Sequence, residues 1–209
     1  MRDDLNEETA AKRRELAAAL RGLVSAVVEH DLPAEVTDEL ITGVDDLRAR
    51  VAGPRRRRYY DPKLEGSPSS SFVDFSPISG LAHPWAIPMS TEPSVGADGT
   101  PGVRARLKVS ATQEGPPKGV HGGVIAAVFD ELLGHAQHVH GIQALTATLT
   151  VRFRAVTPID ADLEFFAQVV HAKGRRFEGR AWCWAGDTLT AEAEALFVGV
   201  ELGALSGPL

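Results

Sequence analysis

A histidine and two glycines stand at the start of a long apolar segment of this chain. His121-Gly122-Gly123 is followed by VIAAVFDELLG, which ends at Gly134. Backbone N–H groups in the first turn of a helix have no partner within the helix, and glycine lets a ligand approach them closely. The helix dipole adds to their attraction for a carbonyl oxygen that gains negative charge. The segment therefore predicts a long apolar helix with acyl chemistry at its mouth.

A carboxylate stands within this predicted helix, nine residues after the histidine. Asp130 lies in an apolar stretch, where a carboxylate needs a reason to be present. Nine residues span about 13–14 Å of helix and turn through about 900°, which is half a turn away from alignment. His121 and Asp130 therefore cannot act on one bond within one subunit. If both are catalytic, a second helix lies antiparallel beside the first, and we expect an obligate two-fold dimer with two shared sites.

The residues after the helix alternate with the period of a β-strand. Between Ala144 and Phe153, one face carries Leu145, Leu149, Val151 and Phe153, and the other carries Thr146, Thr148, Thr150 and Arg152. Further strands are predicted over 163–170, 176–185 and 189–200, with turns at Gly174 and Gly186-Asp187. Residues 103–111, ahead of the helix, alternate as well. One long helix among antiparallel strands predicts an α+β fold whose sheet curls round the helix.

Residues of about 100–200 resemble a hotdog-fold thioesterase of the PaaI type, within the hydroxybenzoyl-CoA thioesterase superfamily. Three stretches carry the resemblance: HGGVIAAVFDELLG at 121–134, LTATLTVRF with the following TP at 145–158, and GRRFEGRAWCW with LTAEAEALFV at 174–198. The resemblance implies the hotdog fold, an antiparallel sheet wrapped around a long central helix. In this chain we expect an N-terminal helical extension in addition.

The resemblance also implies the roles of four residues. The family's general base or nucleophile is the acid nine residues after the histidine, which is Asp130 here. The backbone oxyanion donor is the glycine eight residues before that acid, which is Gly122, and His121 polarises the thioester carbonyl or orients the site. A hydroxyl early in the next strand positions water or the acid, and Thr146 is the best match.

A further family feature, a polar group such as Asn shortly before the HGG motif, has no direct counterpart. Gln113 or Glu114 stands there instead. Basic side chains near the helix and the Gly174 turn are expected to contact a coenzyme, and apolar helix residues to line an acyl pocket. The candidate substrate contacts are Lys118, Gly123, Val128, Phe129, Glu131, Arg175 and Arg176. The run from Arg55 to Arg58 could also grip phosphates, since arginine matches phosphate geometry, or it could be a solvated linker.

The reaction implied is hydrolysis of an acyl-CoA or acyl-carrier thioester to a free acid and a thiol. Asp130 would either deprotonate a water or attack the carbonyl to give an anhydride, and both routes stay open. Two alternatives are a hotdog hydratase or dehydratase and a non-catalytic acyl-CoA-binding regulatory protein. We expect no cofactor, and a homodimer that can pair again into a tetramer.

Other chemistries have weaker signals in the sequence. His135, His138 and His140 cluster near the helix end, but no cysteine or nearby acidic residue completes a ligand set, so we expect no metal. Neither a Gly-rich phosphate loop nor a Gly-x-Ser-x-Gly nucleophile motif is present. Cys183, between two tryptophans in a predicted strand, is expected to pack.

The composition agrees with a cytoplasmic enzyme. A single cysteine among 209 residues rules out an intramolecular disulfide framework and favours a reducing compartment. The net charge of −6 argues against general nucleic-acid binding. No apolar window approaches the roughly 20 residues of a membrane span, and the first 30 residues lack the apolar core of a signal peptide.

The first half of the chain predicts two helices followed by an irregular segment. The first spans about 5–29 and the second 33–50, the latter with Leu40, Val44 and Leu47 as its apolar stripe. They could pack on the dimer or form a lid. We therefore predict a helical extension over 1–60, an irregular Pro/Ser/Gly-rich crossing over 61–102, and the hotdog thioesterase domain over 103–202.

Overall fold

The computed structural model describes residues 7–53, 74–142 and 144–199. The helices in these ranges are α1 (Glu7–Glu29), α2 (Ala34–Arg50), a 3₁₀ turn (Ala111–Gln113) and α3 (Gly122–Val139). The strands are β1 (Met89–Val95), β2 (Pro101–Lys108), β3 (Ala144–Phe153), β4 (Asp162–Lys173), β5 (Arg176–Ala185) and β6 (Thr188–Gly199). The boundaries of the strands after α3 agree with the sequence prediction to within three residues, whereas α3 continues to Val139, five residues beyond the apolar segment that ends at Gly134.

The strands form one antiparallel sheet that wraps around α3. Its strand order is β1-β2-β4-β5-β6-β3, and α3 contacts β2, β3, β4, β5 and β6. In the part of the chain that the structure describes, β3 is an edge strand with a neighbour on one side, which is β6. The predicted α+β hotdog architecture, with a helical part at the N-terminus, is confirmed.

One face of α3 forms the centre of the core. Its apolar residues recur at helical spacing and are buried: Ile125, Val128, Phe129, Leu132, Leu133 and Ala136. The rings of Phe129 and Phe165 meet edge to face, with centroids 5.4 Å apart. A Cβ at Gly179 would lie only 2.7 Å from Leu133 Cδ2, so a larger residue there would force Leu133 to shift where β5 passes under the helix. This packing fixes the rotation of α3 and directs Asp130 away from the sheet core.

Strand β1 lies inside the segment that the sequence analysis treated as irregular. Met89–Val95 pairs along its whole length with β2 at the opposite edge of the sheet from β3. Six of its seven residues have polar, proline or exposed side chains, so the strand lacks the apolar alternation that marks a half-buried strand. Pro93 is compatible with an edge strand, because proline has no backbone N–H to donate to a second neighbouring strand.

The N-terminal helices differ in how they attach to the domain. Helix α1 buries Ala17 and packs near the 3₁₀ turn, and Arg14 forms a two-pronged salt bridge with Asp74. Arg21 donates to the carbonyl of His83 at 2.9 Å. Helix α2 has no buried residue, so its predicted stripe is not covered within the described chain. The run from Arg55 to Arg58 lies outside the described residues, and the three-part division of the chain stays a prediction.

Candidate active site

The side chain of His121 caps the first turn of α3. Its Nδ1 accepts a hydrogen bond of 3.0 Å from the Gly123 amide. Because Nδ1 is the acceptor, a neutral ring carries its proton on Nε2, where the exposed ring can donate to a ligand. The Gly122 amide donates to no acceptor among the described residues. The mouth of α3 thus offers one free backbone donor and one ring donor.

This arrangement separates the two glycines that the sequence analysis grouped together. The Gly123 amide is already used by His121, so it is not free to bind a substrate oxygen. The Gly122 amide remains free because His121 precedes it and α3 begins at Gly122. The difference arises because a side-chain cap satisfies the donors two or three residues on, rather than the first one.

The loop before α3 uses the two polar residues proposed as substitutes for the family's Asn. The Gln113 side chain accepts from the Ser110 amide in a capping box around the 3₁₀ turn. The Glu114 carboxylate accepts from the Lys118 amide at 2.6 Å. The Gln113 carbonyl accepts from the His121 amide at 2.8 Å. Both side chains therefore shape the loop that delivers His121, and Lys118 has a positive φ of 60° at its turn.

Asp130 meets Thr146 on the outward side of α3. The Thr146 hydroxyl donates to Asp130 Oδ1 at 2.7 Å, and both residues are solvent-exposed. The carboxylate is therefore held by one hydroxyl while its second oxygen faces solvent. Such a geometry suits a carboxylate that must reach a water molecule or a carbonyl carbon.

A β-bulge in β3 allows Thr146 to reach Asp130. The register with β6 shifts between Thr146 and Thr148, so that Thr146 lies opposite Phe197 while Thr148 lies opposite Leu196. Directly paired residues share a face, and Phe197 belongs to the core face beneath α3. Strict alternation wrongly placed Thr146 on the face of Thr148 and Thr150. The extra residue of the bulge moves the side chains of the preceding β3 residues to the opposite face of the sheet. Bulges commonly redirect side chains in this way beside functional sites.

Helix α3 and strand β3 run in opposite directions, and they meet at two places. Near the helix mouth, a Cβ at Gly122 would lie 3.0 Å from Phe153 Cζ, at the end of β3. Near the helix midpoint, Asp130 meets Thr146 at the start of β3. The eight-residue step from Gly122 to Asp130 corresponds to about 12 Å of helix. One chain therefore carries two half-sites, and it does not bring Gly122 and Asp130 together.

Glu131 is turned away from both half-sites. Its carboxylate accepts hydrogen bonds from the hydroxyls of Ser76, at 2.6 Å, and Ser79, and His135 Nε2 lies 3.6 Å away. Burial acts to raise the pKa of Glu131, but hydrogen bonds from His135, Ser76 and Ser79 outweigh it, so the pKa lies below its ordinary value. Glu131 thus fastens the segment that precedes β1 to α3, and it is not placed to bind substrate as the sequence suggested.

The remaining candidate contacts fall into two groups. Val128 and Phe129 are 1% and 0% exposed within the core, so they offer no surface to an acyl group. Arg175 and Arg176 are exposed at the β4–β5 turn, and Arg175 donates from Nε and Nη2 to the Gly199 carbonyl. Gly199 pairs with Ala144 at the start of β3. The two arginines therefore lie at the Asp130 end of β3, whereas Lys118 lies at the helix mouth.

The histidine cluster and the cysteine have structural partners. His138 Nδ1 contacts the Gly134 carbonyl at 2.9 Å, and His140 Nε2 contacts the Pro101 carbonyl at 3.2 Å. Across residues 7–53, 74–142 and 144–199, no group of three or more His, Cys, Asp or Glu side chains is arranged to hold a metal ion. Cys183 is fully buried, and burial raises the pKa of its thiol to about 11, which is the opposite of an activated nucleophile.

Phe153 is a neighbour of Gly122 that no motif in the sequence indicates. Alternation predicts only that it lies on the apolar face of β3. Its contact with the helix mouth follows from the relative alignment of β3 and α3, which alternation within a strand does not encode.

Among residues 7–53, 74–142 and 144–199, no helix is long and apolar enough to cross a membrane.

An antiparallel sheet around one long central helix, with a capped glycine turn at the helix start, defines a hotdog-fold protein. Residues 118–192 match the family model of the thioesterase superfamily. The structure is similar to a crystal structure of a thioesterase superfamily protein, with a TM-score of 0.71 and 26% identity over 89% of this chain and 94% of the other. The chain therefore has the hotdog fold and resembles the thioesterase superfamily over residues 118–192, and its PaaI type stays a prediction.

Two further solved structures match about half of the chain. A conserved protein from Pseudomonas aeruginosa is 23% identical, with a TM-score of 0.45, over 53% of this chain and 89% of the other. A hypothetical thioesterase protein from Streptococcus pneumoniae, solved with coenzyme A, is 16% identical, with a TM-score of 0.47, over 53% of this chain and 89% of the other.

Proposed function

We propose that this protein hydrolyses an acyl-CoA or acyl-carrier thioester to a free acid and a thiol. One observation carries the proposal. Helix α3 presents a free Gly122 amide at its start, and its residue Asp130 accepts a hydrogen bond from Thr146. An unpaired backbone donor is what a developing oxyanion needs, and a held carboxylate is what water activation or covalent attack needs. The match of residues 118–192 to the thioesterase superfamily model, together with the likeness to a solved thioesterase superfamily protein, supports the same chemistry.

The helix mouth stabilises the oxyanion in this mechanism. The thioester carbonyl oxygen accepts from the Gly122 amide, and the protonated Nε2 of His121 donates to the same oxygen or orients the carbonyl. Both donors are held before substrate arrives, because His121 is fixed by its bond to the Gly123 amide. A donor of this kind contributes on the order of 3 kcal/mol to the transition state.

Asp130 supplies the second half of the chemistry. In one route Oδ2 takes a proton from water, the hydroxide attacks the carbonyl carbon, and the C–S bond breaks as the thiolate leaves and takes up a proton. In the other route Oδ2 attacks the carbon directly to give an anhydride that water then cleaves. Thr146 serves either route, because its bond to Oδ1 leaves Oδ2 as the reactive oxygen.

The two half-sites come together in a homodimer built on β3. The free edge of β3 presents backbone donors and acceptors that a second copy can pair with. A two-fold axis through the edge makes the pairing antiparallel, so the Thr146 end of one strand meets the Phe153 end of the other. Asp130 and Thr146 of one subunit then approach His121 and Gly122 of its partner. Arg175 and Arg176 approach the same site, where they contact coenzyme phosphates.

Thiol release tests the proposal. Acyl-CoAs of varied chain length and aromatic character are assayed with wild type, Asp130→Asn and Asp46→Asn. The last is a matched control, because Asp46 is an exposed carboxylate on α2. We expect turnover in wild type and Asp46→Asn and a loss of at least about 100-fold in Asp130→Asn. Tight acyl-CoA binding without thiol release would favour the binding-protein alternative, and hydration of enoyl-CoA would favour the hydratase.

A further inference from the structure

The aromatic side chain of Phe153 lies against the proposed oxyanion donor. Its Cζ, Cε1 and Cε2 atoms lie 3.0, 3.4 and 3.6 Å from the position that a Cβ on Gly122 would occupy. A larger residue at 122 would require the ring to shift by a few tenths of an ångström. The edge of the ring therefore contacts the residue whose amide is free.

Most of the ring nevertheless remains in solvent. Phe153 is 55% exposed, although it lies on the core face of β3 with Leu149 and Val151, which are partly buried. Phe153 is the last residue of the strand and lies beside the first residue of α3, so the helix covers only one edge of its ring. Within one subunit, a large apolar surface is thereby left uncovered next to a free backbone donor, on the side that the Thr146 end of the partner's β3 approaches in the proposed dimer.

Val156 extends this apolar surface around the loop that precedes the helix. It is 64% exposed, and its Cγ1 lies 2.8 Å from the position of a Cβ on Gly119. Phe153 and Val156 thus both cover glycines, at residues 122 and 119, on the solvent side of the helix mouth. We call these two side chains the mouth patch. A single exposed apolar residue needs no explanation, but two that border the same polar donor define where an apolar ligand can lie.

We propose that Phe153 is a substrate-contact residue whose ring binds the methylene groups flanking the thioester carbonyl. The inference rests on the proposed function, because it takes the carbonyl oxygen to lie on the Gly122 amide. An oxygen about 2.9 Å from that nitrogen brings the two substituents of the carbonyl carbon within reach of a ring that already contacts Gly122.

The methylene groups have two sources in a thioester. They belong either to the acyl chain or to the cysteamine end of the thiol. Non-hydrolysable S-(2-oxoalkyl)-CoA ketones distinguish these sources, because the alkyl length varies while the thiol stays constant. The experiment measures the dissociation constants of S-(2-oxopropyl)-CoA and S-(2-oxooctyl)-CoA by calorimetry for wild type, Phe153→Ala, Phe153→Leu and Trp85→Ala. Trp85 is the matched control, since it is an aromatic residue that is 83% exposed in the segment before β1.

We expect Phe153→Ala to weaken binding about tenfold or more, as loss of a buried aromatic contact does, and Phe153→Leu to weaken it less. Trp85→Ala should bind as wild type does. A loss confined to the octyl ligand assigns the ring to the acyl chain, and an equal loss for both ligands assigns it to the cysteamine. Wild-type affinity in Phe153→Ala for both ligands would overturn the inference, as would the absence of binding to the wild type.

The binding measurement separates this inference from the hydrolysis proposal. If Phe153→Ala weakens binding while wild type releases no thiol, the contact stands and hydrolysis falls. If wild type hydrolyses thioesters while Phe153→Ala keeps both its affinity and its kcat/KM, hydrolysis stands and the contact falls. Melting temperatures of the variants check their folding, and Phe153→Leu keeps the test valid if the alanine variant fails to fold, because leucine retains an apolar side chain on the strand.

Discussion

Thr146 and Asp130 are joined by a hydrogen bond of 2.7 Å from the threonine hydroxyl to Oδ1 of the carboxylate. The bond connects the start of β3 to the middle of α3. It forms because a bulge after Thr146 turns this side chain toward the helix. Thr148, two residues on, faces the other side of the sheet. The two threonines therefore form a natural pair of test and control positions on one strand.

Thr146→Val should lower kcat by about 10- to 100-fold, because a hydrogen bond to a charged group is worth about 1.5–3 kcal/mol. Valine keeps the shape and the β-branched character, so the strand should be unaffected. Thr148→Val, on the outer face, should retain wild-type activity. Steady-state thiol release measures both. Equal activity in the two variants would show that the hydroxyl of Thr146 has no part in turnover.

Gly122→Pro removes the proposed oxyanion donor without removing a helical hydrogen bond, since proline is tolerated at the first position of a helix. We expect kcat to fall by about 100- to 1,000-fold. Gly122→Ala is the comparison, because it keeps the amide but requires the Phe153 ring to shift from its 3.0 Å position. The alanine variant should therefore lose less activity than the proline variant. Full turnover in a correctly folded Gly122→Pro protein, checked by circular dichroism, would contradict the assignment.

Mixing two inactive variants tests whether the site is shared between subunits. Asp130→Asn damages one half-site and Gly122→Pro the other, and these half-sites lie about 12 Å apart along one helix. A mixed dimer keeps one site with both intact halves, so exchange of subunits should restore activity toward half of the wild-type value per mixed dimer. Native mass spectrometry verifies the exchange. No recovery in proven mixed dimers would argue against a site shared between subunits.

Glu131 should make stability depend on pH. Its pKa lies below the ordinary value of 4.5, because hydrogen bonds from His135, Ser76 and Ser79 outweigh the effect of burial. A carboxylate whose pKa is depressed by folding contributes stability that is present above the unfolded value and is lost as pH falls through the folded value. The free energy of unfolding of wild type should exceed that of Glu131→Gln by about 2 kcal/mol at pH 7. The difference should begin to shrink as the pH falls below about 4.5 and should disappear once the pH is below the lower pKa of the folded state.

Urea unfolding at several pH values measures this dependence. Glu39→Gln is the matched control, because Glu39 is exposed on α2, and its curves should coincide with those of wild type. A difference between wild type and Glu131→Gln that stays constant from pH 7 to pH 3 would show that the ionised carboxylate does not carry the stabilisation.

Ala17→Asp should detach α1 from the domain. Ala17 is the buried residue of α1, at 1% exposure, and an aspartate there would force a larger, charged side chain into the contact between α1 and the domain. Ala18→Asp places the same charge on an exposed neighbour and should have little effect. Limited proteolysis followed by mass spectrometry should cleave the first variant faster, within α1, while the remaining domain stays intact. Equal cleavage rates would mean that α1 is held by Arg14 and Arg21 without the Ala17 contact.

Local patterns in the sequence determined which residues form the elements around α3. The glycine pair and the apolar repeat predicted a helix that the structure begins at Gly122, and alternation predicted β3 with the bounds observed, Ala144–Phe153. Both signals are local, because the period of apolar residues follows from the geometry of a single helix or strand. Strand β1 carries no such signal, since it is an edge strand with little buried surface.

Tertiary structure decided which side chains meet. Alternation placed Thr146 on the wrong face of β3, because a bulge arises from the pairing of two strands and leaves no mark in the period of one. Glu131 looked like a second carboxylate for the site, but its partners Ser76 and Ser79 come from more than fifty residues earlier in the chain. Phe153 reaches Gly122 only through the alignment of β3 against α3. Contacts between residues distant in sequence depend on register and on helix rotation, and these are set by the packing of the whole core.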